Sequence, residues 1–180
     1  MNYKTQPMSK KDIEERASMI REVASIFIQN KEDKFPVLEF VEHVIPLLNE
    51  DFTFVVVSPE EIKGCYGVTD INENSIKVRE DVYNRAVAGN ERDLFTIAHE
   101  IGHLFLHSNQ KVELARGDSS MRIYESTEWQ ANTFAAALLM PLDKIKSTDT
   151  KFTLARRFGV SLQAAELRLN KLGISNQQDY

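Results

Sequence analysis

The sequence has a single cysteine, Cys65, among its 180 residues, and it has no apolar run long enough to cross a membrane. One cysteine excludes an internal disulfide and is typical of proteins in a reducing compartment. The N-terminal residues also lack the hydrophobic core of a signal peptide. We therefore expect a cytoplasmic protein with no membrane partner, in which Cys65 is a small core residue among strand residues rather than a nucleophile.

Positive charge is also scarce, since 22 Lys and Arg residues face 27 Asp and Glu residues and give a formal net charge of −5. This balance disfavours direct nucleic-acid binding, which depends on neutralising phosphates. The sequence has no internal repeat, and its length predicts one compact domain over 1–180. Within this domain we expect N-terminal helices at 9–50, a catalytic core at 51–146 and a helical hairpin at 147–180.

The chemistry is concentrated in an H-E-x-x-H sequence formed by His99, Glu100 and His103. Asn90 and Asp93 resemble a helix start ahead of it, and apolar residues follow at helical spacing. Residues four apart share a face of a helix, so the two imidazoles can bind one zinc ion while Glu100 reaches its water molecule. The alternative is a buried amphipathic helix whose histidines are only hydrogen-bonded.

A zinc site needs a third protein ligand, and a second predicted helix, which Pro141 ends, supplies candidates. Glu128 could complete a His-His-Glu set. Asn132, four residues later on the same face, could hydrogen-bond the outer nitrogen of a ligand histidine. Glu125, one turn earlier, is the competing ligand. The alternative for Glu128 is a solvated charge at a helix N-terminus.

The blocks H-E-I-G-H-L-F-L-H (99–107) and E-W-Q-A-N-T-F-A-A-A-L-L-M-P (128–141) resemble the ImmA/IrrE family of intracellular zinc metallopeptidases. The resemblance runs from about Asp51 to Leu142. It implies an α+β, mainly helical zincin-like domain with a small sheet of about three strands beside the H-E-x-x-H helix.

The same resemblance implies one zinc ion per chain, with His99, His103 and Glu128 as metal ligands and Glu100 as the catalytic carboxylate. Family members often have an acidic residue where this chain has Asn132. An amide oxygen can still accept a hydrogen bond from a ligand histidine, but it raises the basicity of that histidine less than a carboxylate does.

Two further histidines are assigned structural roles. His107 lies on roughly the same side of the helix as His99, but a rise of 1.5 Å per residue places the two about 12 Å apart along the axis. Both cannot reach one ion unless the helix breaks after His103. We therefore expect His107 at the helix C-terminus, where a partly charged imidazole is favoured. His43 belongs to another predicted helix and is expected to be an ordinary surface or core residue.

Helices and strands are predicted ahead of the H-E-x-x-H helix. The first helix covers 9–30 with a Ser9–Asp12 capping box, and Phe35-Pro36 opens a second with Pro46 near its end. Their inward residues should be Ile13, Ala17, Ile20, Ala24 and Phe27 in the first, and Val37, Phe40, Val41, Val44 and Leu48 in the second. Strands are expected at 52–57, 66–69 and 75–79. Strand 75–79 is the candidate edge strand for pairing with an extended substrate, and the alternative is that it forms one wall of the core.

Two other segments have readings that the sequence leaves open. Residues 108–122 resemble a loop beside the site, and Arg116, Arg122 or Tyr124 could bind substrate or stabilise an oxyanion. Residues 154–169 have the glycine-turn pattern of a helix-turn-helix. The same pattern serves an αα-hairpin packed on the catalytic core, which the family resemblance favours.

These observations predict a zinc-dependent endopeptidase. The resembled family includes regulators that cleave a DNA-binding repressor, often of a mobile element, so the expected partner is a helix-turn-helix repressor. A first alternative is a non-proteolytic anti-repressor that binds through a metallopeptidase-like fold. A second is a DNA-binding regulator that uses residues 154–169.

Overall fold

Helices and short strands alternate along the chain. The computed structural model describes residues 3–30, 32–108, 113–114 and 122–174. The helices there are α1 (Lys10–Phe27), α2 (Val37–Glu39), α3 (Ile45–Leu48), α4 (Glu80–Val87), α5 (Glu91–His107), α6 (Thr127–Leu139), α7 (Lys151–Phe158) and α8 (Leu162–Lys171), with a π-helical turn at Phe40–Val44 and 3-10 turns at Ile123–Glu125 and Leu142–Lys144. The strands there are β1 (Tyr3–Lys4), β2 (Thr53–Val57), β3 (Gly67–Asp70), β4 (Ser75–Arg79) and β5 (Glu113–Leu114).

The larger sheet has the order β2-β4-β3, so the three predicted strands and the mainly helical α+β fold are confirmed. Strands β3 and β4 form an antiparallel hairpin in which Asn74 has a positive φ of 49°, a conformation that asparagine tolerates. Strand β2 pairs in parallel with the other side of β4. The prediction that 75–79 is an edge strand is therefore wrong. Both edges of β4 are paired, and Ile76 and Val78 are fully buried.

Helices α5 and α6 pack closely against each other and carry the predicted metal ligands. Asn90 caps α5 by accepting from the backbone of Arg92 and Asp93, as the sequence predicts. The two helices meet at Gly102. A methyl group there would lie 3.1 Å from the carbonyl oxygen of Ala131 and 3.1 Å from the ring of Phe134. The missing side chain thus permits the close approach of α6.

The N-terminal helices follow the prediction in part. Helix α1 has the expected Ser9–Asp12 capping box, but it ends at Phe27, which is 47% exposed instead of inward. Leu48 is also exposed, because the second predicted helix is not a continuous α-helix. Its middle widens into the π-helical turn, where Ile45 donates to the carbonyl of Phe40. Pro46 follows directly and cannot fit a regular turn, since its ring would clash with the carbonyl four residues earlier.

The C-terminal helices α7 and α8 form an αα-hairpin that packs on the core. Gly159 ends α7 in the left-handed conformation, with φ of 61°. Arg168 is buried and donates to the carbonyl of Met140 and to the carboxylate of Glu14 on α1. Arg157 likewise donates to a carboxylate, that of the buried residue Asp149. Two arginines of the helix-turn-helix pattern are therefore engaged by other parts of the chain.

Candidate metal centre

His99 and His103 lie side by side on α5, as their spacing predicts. Their Nε2 atoms are 2.9 Å apart, and the ring planes meet at 78°. Each side chain is 16% exposed, so both are largely buried but still reach solvent. Both Nε2 atoms point toward the N-terminal turn of α6.

Glu128 supplies a carboxylate to this pair from the first turn of α6. Its Oε2 lies 3.3 Å from His99 Nε2, and its Oε1 lies 3.6 Å from His103 Nε2. Ser126 caps α6 by accepting from Trp129, which sets where the helix begins and hence where Glu128 points. The competing residue, Glu125, has its carboxylate on the backbone N–H of Arg122 at 2.8 Å.

The three side chains have the composition and spacing of a metal site. One donor atom from each of His99, His103 and Glu128 can be chosen such that all lie within 4.8 Å of one another. Two imidazole nitrogens and one carboxylate oxygen match the three-ligand sets of catalytic zinc sites, which leave one position for water. The described residues therefore fit a zinc ion.

The protonation preferences of these groups favour metal binding at His103. Burial opposes the charged form of His99, but the hydrogen bond to Glu128 and the nearby carboxylates outweigh it and raise the pKa of His99. Burial and the adjacent His99 lower the pKa of His103. The hydrogen bond from His99 lowers the pKa of Glu128. His103 thus tends to be neutral and Glu128 ionised, the forms in which both can bind a metal ion.

Asn132 contacts the outer side of the pair. Its Oδ1 lies 3.1 Å from His99 Nδ1, at the position where the sequence places an acceptor for a ligand histidine. With Nδ1 donating to this oxygen, His99 directs Nε2 toward the centre.

Glu100 lies beside the pair and is held by β3. The residue is 7% exposed, and burial raises the pKa of its carboxyl group, an effect that the hydrogen bond from Thr69 partly offsets. Thr69 Oγ1 donates to Glu100 Oε2 at 2.7 Å. Gly67 passes so close that a methyl group there would lie 2.9 Å from Glu100 Cγ. Sequence reasoning missed both residues, since nothing local to β3 indicates which helix it covers.

His107 ends α5 behind His103 and is outside the metal cluster, in agreement with its exclusion as a ligand. It is fully buried, and its Nδ1 lies 3.2 Å from His103 Nδ1. The expectation of a partly charged imidazole is wrong, because burial lowers the pKa of His107. Its Nε2 contacts Gln130, another residue that sequence reasoning missed. The signal for Gln130 was its polar character within the alanine-rich run of α6.

The other candidates do not belong to the cluster. Arg116 lies outside the described residues. Arg122 donates to the hydroxyl of Tyr124 at 2.6 Å, and neither residue is identified by these contacts as an oxyanion donor. His43 is an exposed surface residue beside Glu42. Cys65 is exposed, so its assignment to the core was wrong. Its backbone N–H donates to the carbonyl of Ile62 in a turn ahead of β3, so the residue does not enter the sheet.

A histidine pair on one helix, a carboxylate from the next helix and a buried acid beside them define a metallopeptidase-type centre. Residues 82–170 match the family model described as the IrrE N-terminal-like domain, Peptidase_M78. This match agrees with the family resemblance in the sequence. A comparison with curated proteins gives no match.

None of the helices in the described part of the chain has the length and apolar character that crossing a bilayer demands.

Proposed function

We propose that this chain is a zinc-dependent endopeptidase of the cytoplasm that cleaves a DNA-binding transcriptional repressor and thereby relieves repression. The observation that carries the proposal is the set of donor atoms from His99, His103 and Glu128 within 4.8 Å, next to the buried carboxylate of Glu100. A protein that acts only by binding a repressor needs no such carboxylate. The enzyme is therefore better supported than the anti-repressor.

In this mechanism His99, His103 and Glu128 hold the ion. When bound, zinc supplies Lewis acidity toward a peptide carbonyl and lowers the pKa of a water molecule toward about 7. Glu100 takes a proton from the attacking water and passes it to the leaving amine. Thr69 occupies Oε2 of Glu100, so the proton is carried on Oε1. The raised pKa of the Glu100 carboxyl suits a group that must hold a proton between the two steps.

Strand β3 takes the place of β4 as the substrate-pairing strand. Within the described residues β3 pairs with β4 alone, so its other edge is free to add an extended peptide. Because Thr69 and Gly67 of this strand contact Glu100, a peptide paired with β3 would lie beside the base. Backbone pairing of this kind accepts many sequences, so the choice of one repressor must come from contacts elsewhere on the partner.

The choice of a repressor as substrate rests on the family resemblance and on a selectivity argument. A cytoplasmic protease with a preformed site would damage its host if it digested proteins generally. The single exposed cysteine is consistent with a reducing compartment. One regulatory partner is therefore favoured over general digestion.

The test uses the zinc-loaded full chain with a purified helix-turn-helix repressor encoded beside its gene. We expect about one zinc per chain and one discrete cut in the repressor. Glu100→Gln should bind zinc and leave the repressor intact, whereas Glu125→Gln, a carboxylate outside the cluster, should cut normally. Cleavage by a well-folded Glu100→Gln protein would exclude Glu100 as the base. If an unfolded protein such as casein is cut and the repressor is not, the endopeptidase stands and the substrate assignment fails.

A further inference from the structure

A chain of buried polar contacts runs from the metal centre into the core. His103 Nδ1 lies 3.2 Å from His107 Nδ1, and His107 Nε2 lies 3.1 Å from Gln130 Oε1. Gln130 Nε2 in turn donates to the carbonyls of Gln6 at 2.9 Å and Tyr124 at 2.8 Å. Both His107 and Gln130 have no exposed surface. Burying two such side chains is costly unless their polar atoms are paired, and here they are.

The Gln130 end of this series of contacts determines where the hydrogens of His107 and His103 lie. Gln130 Nε2 faces two carbonyl oxygens, which can only accept, so the amide nitrogen belongs there and Oε1 must face His107. Because an amide oxygen also only accepts, His107 carries its hydrogen on Nε2. A neutral imidazole has one N–H, so Nδ1 of His107 is an acceptor and Nδ1 of His103 must donate to it.

The other end of this series of contacts is His103 Nε2, the atom that faces the metal centre. With its hydrogen on Nδ1, His103 presents a lone pair on Nε2, the atom that lies 2.9 Å from His99 Nε2 and 3.6 Å from Glu128 Oε1. The opposite tautomer would place a hydrogen on Nε2 and prevent ligation. It would also leave two acceptors, the Nδ1 atoms of His103 and His107, facing each other at 3.2 Å inside the core, where no cation can lie between them. The Nε2 lone pairs of His99 and His103, by contrast, converge beside the Glu128 carboxylate, where a metal ion would accept both.

We propose that His107 and Gln130 are positioning residues that hold His103 in the tautomer able to bind the metal ion. This inference rests on the proposed role of His103 as a ligand. The two ligand histidines then have different hydrogen-bond acceptors. The exposed residue Asn132 is the acceptor for His99. His103 donates instead to the buried pair His107 and Gln130, here called the relay, which is anchored at the carbonyls of Gln6 and Tyr124. The anchoring carbonyls belong to backbone segments outside α5, so the N-terminal residues contribute to the centre without touching it.

The test measures tautomer and zinc affinity separately, on the full chain. Imidazole ¹⁵N NMR of the zinc-free protein at about pH 8, above the ordinary histidine pKa of about 6.5, should show the hydrogen of His103 on Nδ1. In His107→Leu it should move largely to Nε2, and the zinc dissociation constant from chelator competition should rise about 10- to 100-fold. His107→Gln keeps an acceptor toward His103 and a donor toward Gln130, so it should stay within about threefold of the parent.

A matched control separates the relay from general damage to the core. Thr133→Val removes a buried hydrogen bond from the same helix, since Thr133 Oγ1 donates to the carbonyl of Trp129, without touching the relay. It should lower stability and leave both measurements unchanged. If His107→Leu does not fold, Gln130→Met removes the acceptor for His107 and should give the same two changes.

A folded His107→Leu or Gln130→Met protein that keeps the His103 hydrogen on Nδ1, or that binds zinc within about threefold of the parent, would overturn the proposal and leave these residues a packing role. Absence of zinc binding by the parent protein would instead refute the proposed function. The tautomer measurement is made without metal, so it would still decide the relay.

Discussion

Thr69 Oγ1 donates a hydrogen bond to Glu100 Oε2 across 2.7 Å, from a position 31 residues earlier in the chain. Gly67 of the same strand lies against the same carboxylate, because it has no side chain to push it away. The strand therefore determines both where the acid points and how far it is buried. Within the described residues, the edge of β3 that no strand pairs thus has a fixed position relative to the Glu100 carboxylate.

Replacing Thr69 with valine should raise the pKa of the Glu100 carboxyl further above its ordinary value. Burial already raises this pKa, and the hydrogen bond from Thr69 opposes the rise, so its loss leaves burial less opposed. Carboxyl ¹³C NMR titration of the zinc-free protein measures the change. In turnover, the acidic limb of the pH–rate profile should move to higher pH, because the base must be ionised. Thr69→Ser keeps the hydroxyl and should titrate like the parent. An unchanged Glu100 titration in the valine variant would contradict this account.

Zinc should stabilise the folded protein through Glu128 and not through Glu125. Ligand at a thousand times its dissociation constant stabilises a folded protein by about 4 kcal/mol. Differential scanning calorimetry with and without zinc should show a large upward shift in Tm for the parent and for Glu125→Ala. The shift should be much smaller for Glu128→Ala, which removes a donor of the cluster. Equal shifts in the two variants would remove Glu128 from the ligand set.

Asn132→Asp should strengthen zinc binding. A carboxylate 3.1 Å from His99 Nδ1 would accept its hydrogen more strongly than the amide oxygen does and make Nε2 more basic. We expect Asn132→Asp to bind zinc more tightly and Asn132→Ala to bind it about 10-fold more weakly. Competition with a chelator of known affinity gives both values. If the aspartate variant binds more weakly than the alanine variant, Asn132 does not act through His99.

The ion pairs of Asp33 should make the free energy of unfolding depend on pH in the acidic range. The hydrogen bond from Lys144 and then that from Arg157 lower the pKa of Asp33 from its ordinary value of 3.8, against the opposing effect of partial burial. A carboxylate with a depressed folded pKa stabilises the fold above the unfolded value and loses that contribution as pH falls through the folded one. Asp33→Asn should therefore lower the free energy of unfolding by about 1 kcal/mol at neutral pH.

Urea denaturation at a series of pH values tests this prediction. The difference between Asp33→Asn and the parent should shrink steadily as the pH is lowered below 3.8. Asp51→Asn, at an exposed turn, is the matched control and should change stability little at any pH. A difference for Asp33→Asn that persists unchanged in acid would show that charge is not its origin.

The parts of the site that the sequence predicts are those that a single helix encodes. His99 and His103 are neighbours because helical geometry places residues four apart on one face, and Asn90 announces where that helix starts. Glu128 and Asn132 follow from the same rule applied to a second helix. Bringing the two helices together requires that their apolar faces be buried and that Gly102 leave room at their contact.

The parts that escaped prediction depend on which elements meet. Thr69 is an ordinary strand residue until β3 lies over α5, and β4 became central only because β2 paired with it in parallel. Strand order is set by contacts between distant segments, which no local pattern records. Cys65 shows the same limit, since its apolar neighbours suggested a strand and a turn placed it outside.

Gly102, where α5 touches α6, is one of the two unspecified positions of H-E-x-x-H. A methyl group there would already lie 3.1 Å from the carbonyl oxygen of Ala131 and 3.1 Å from the ring of Phe134, so a bulkier side chain would push α6, with Glu128, away from the two imidazoles. A relative could thus keep every ligand and the acid yet be a pseudoenzyme that no longer retains its ion. Sorting active from inactive family members by their ligands alone would misplace such a chain, whereas reading the residue before the second histidine would not.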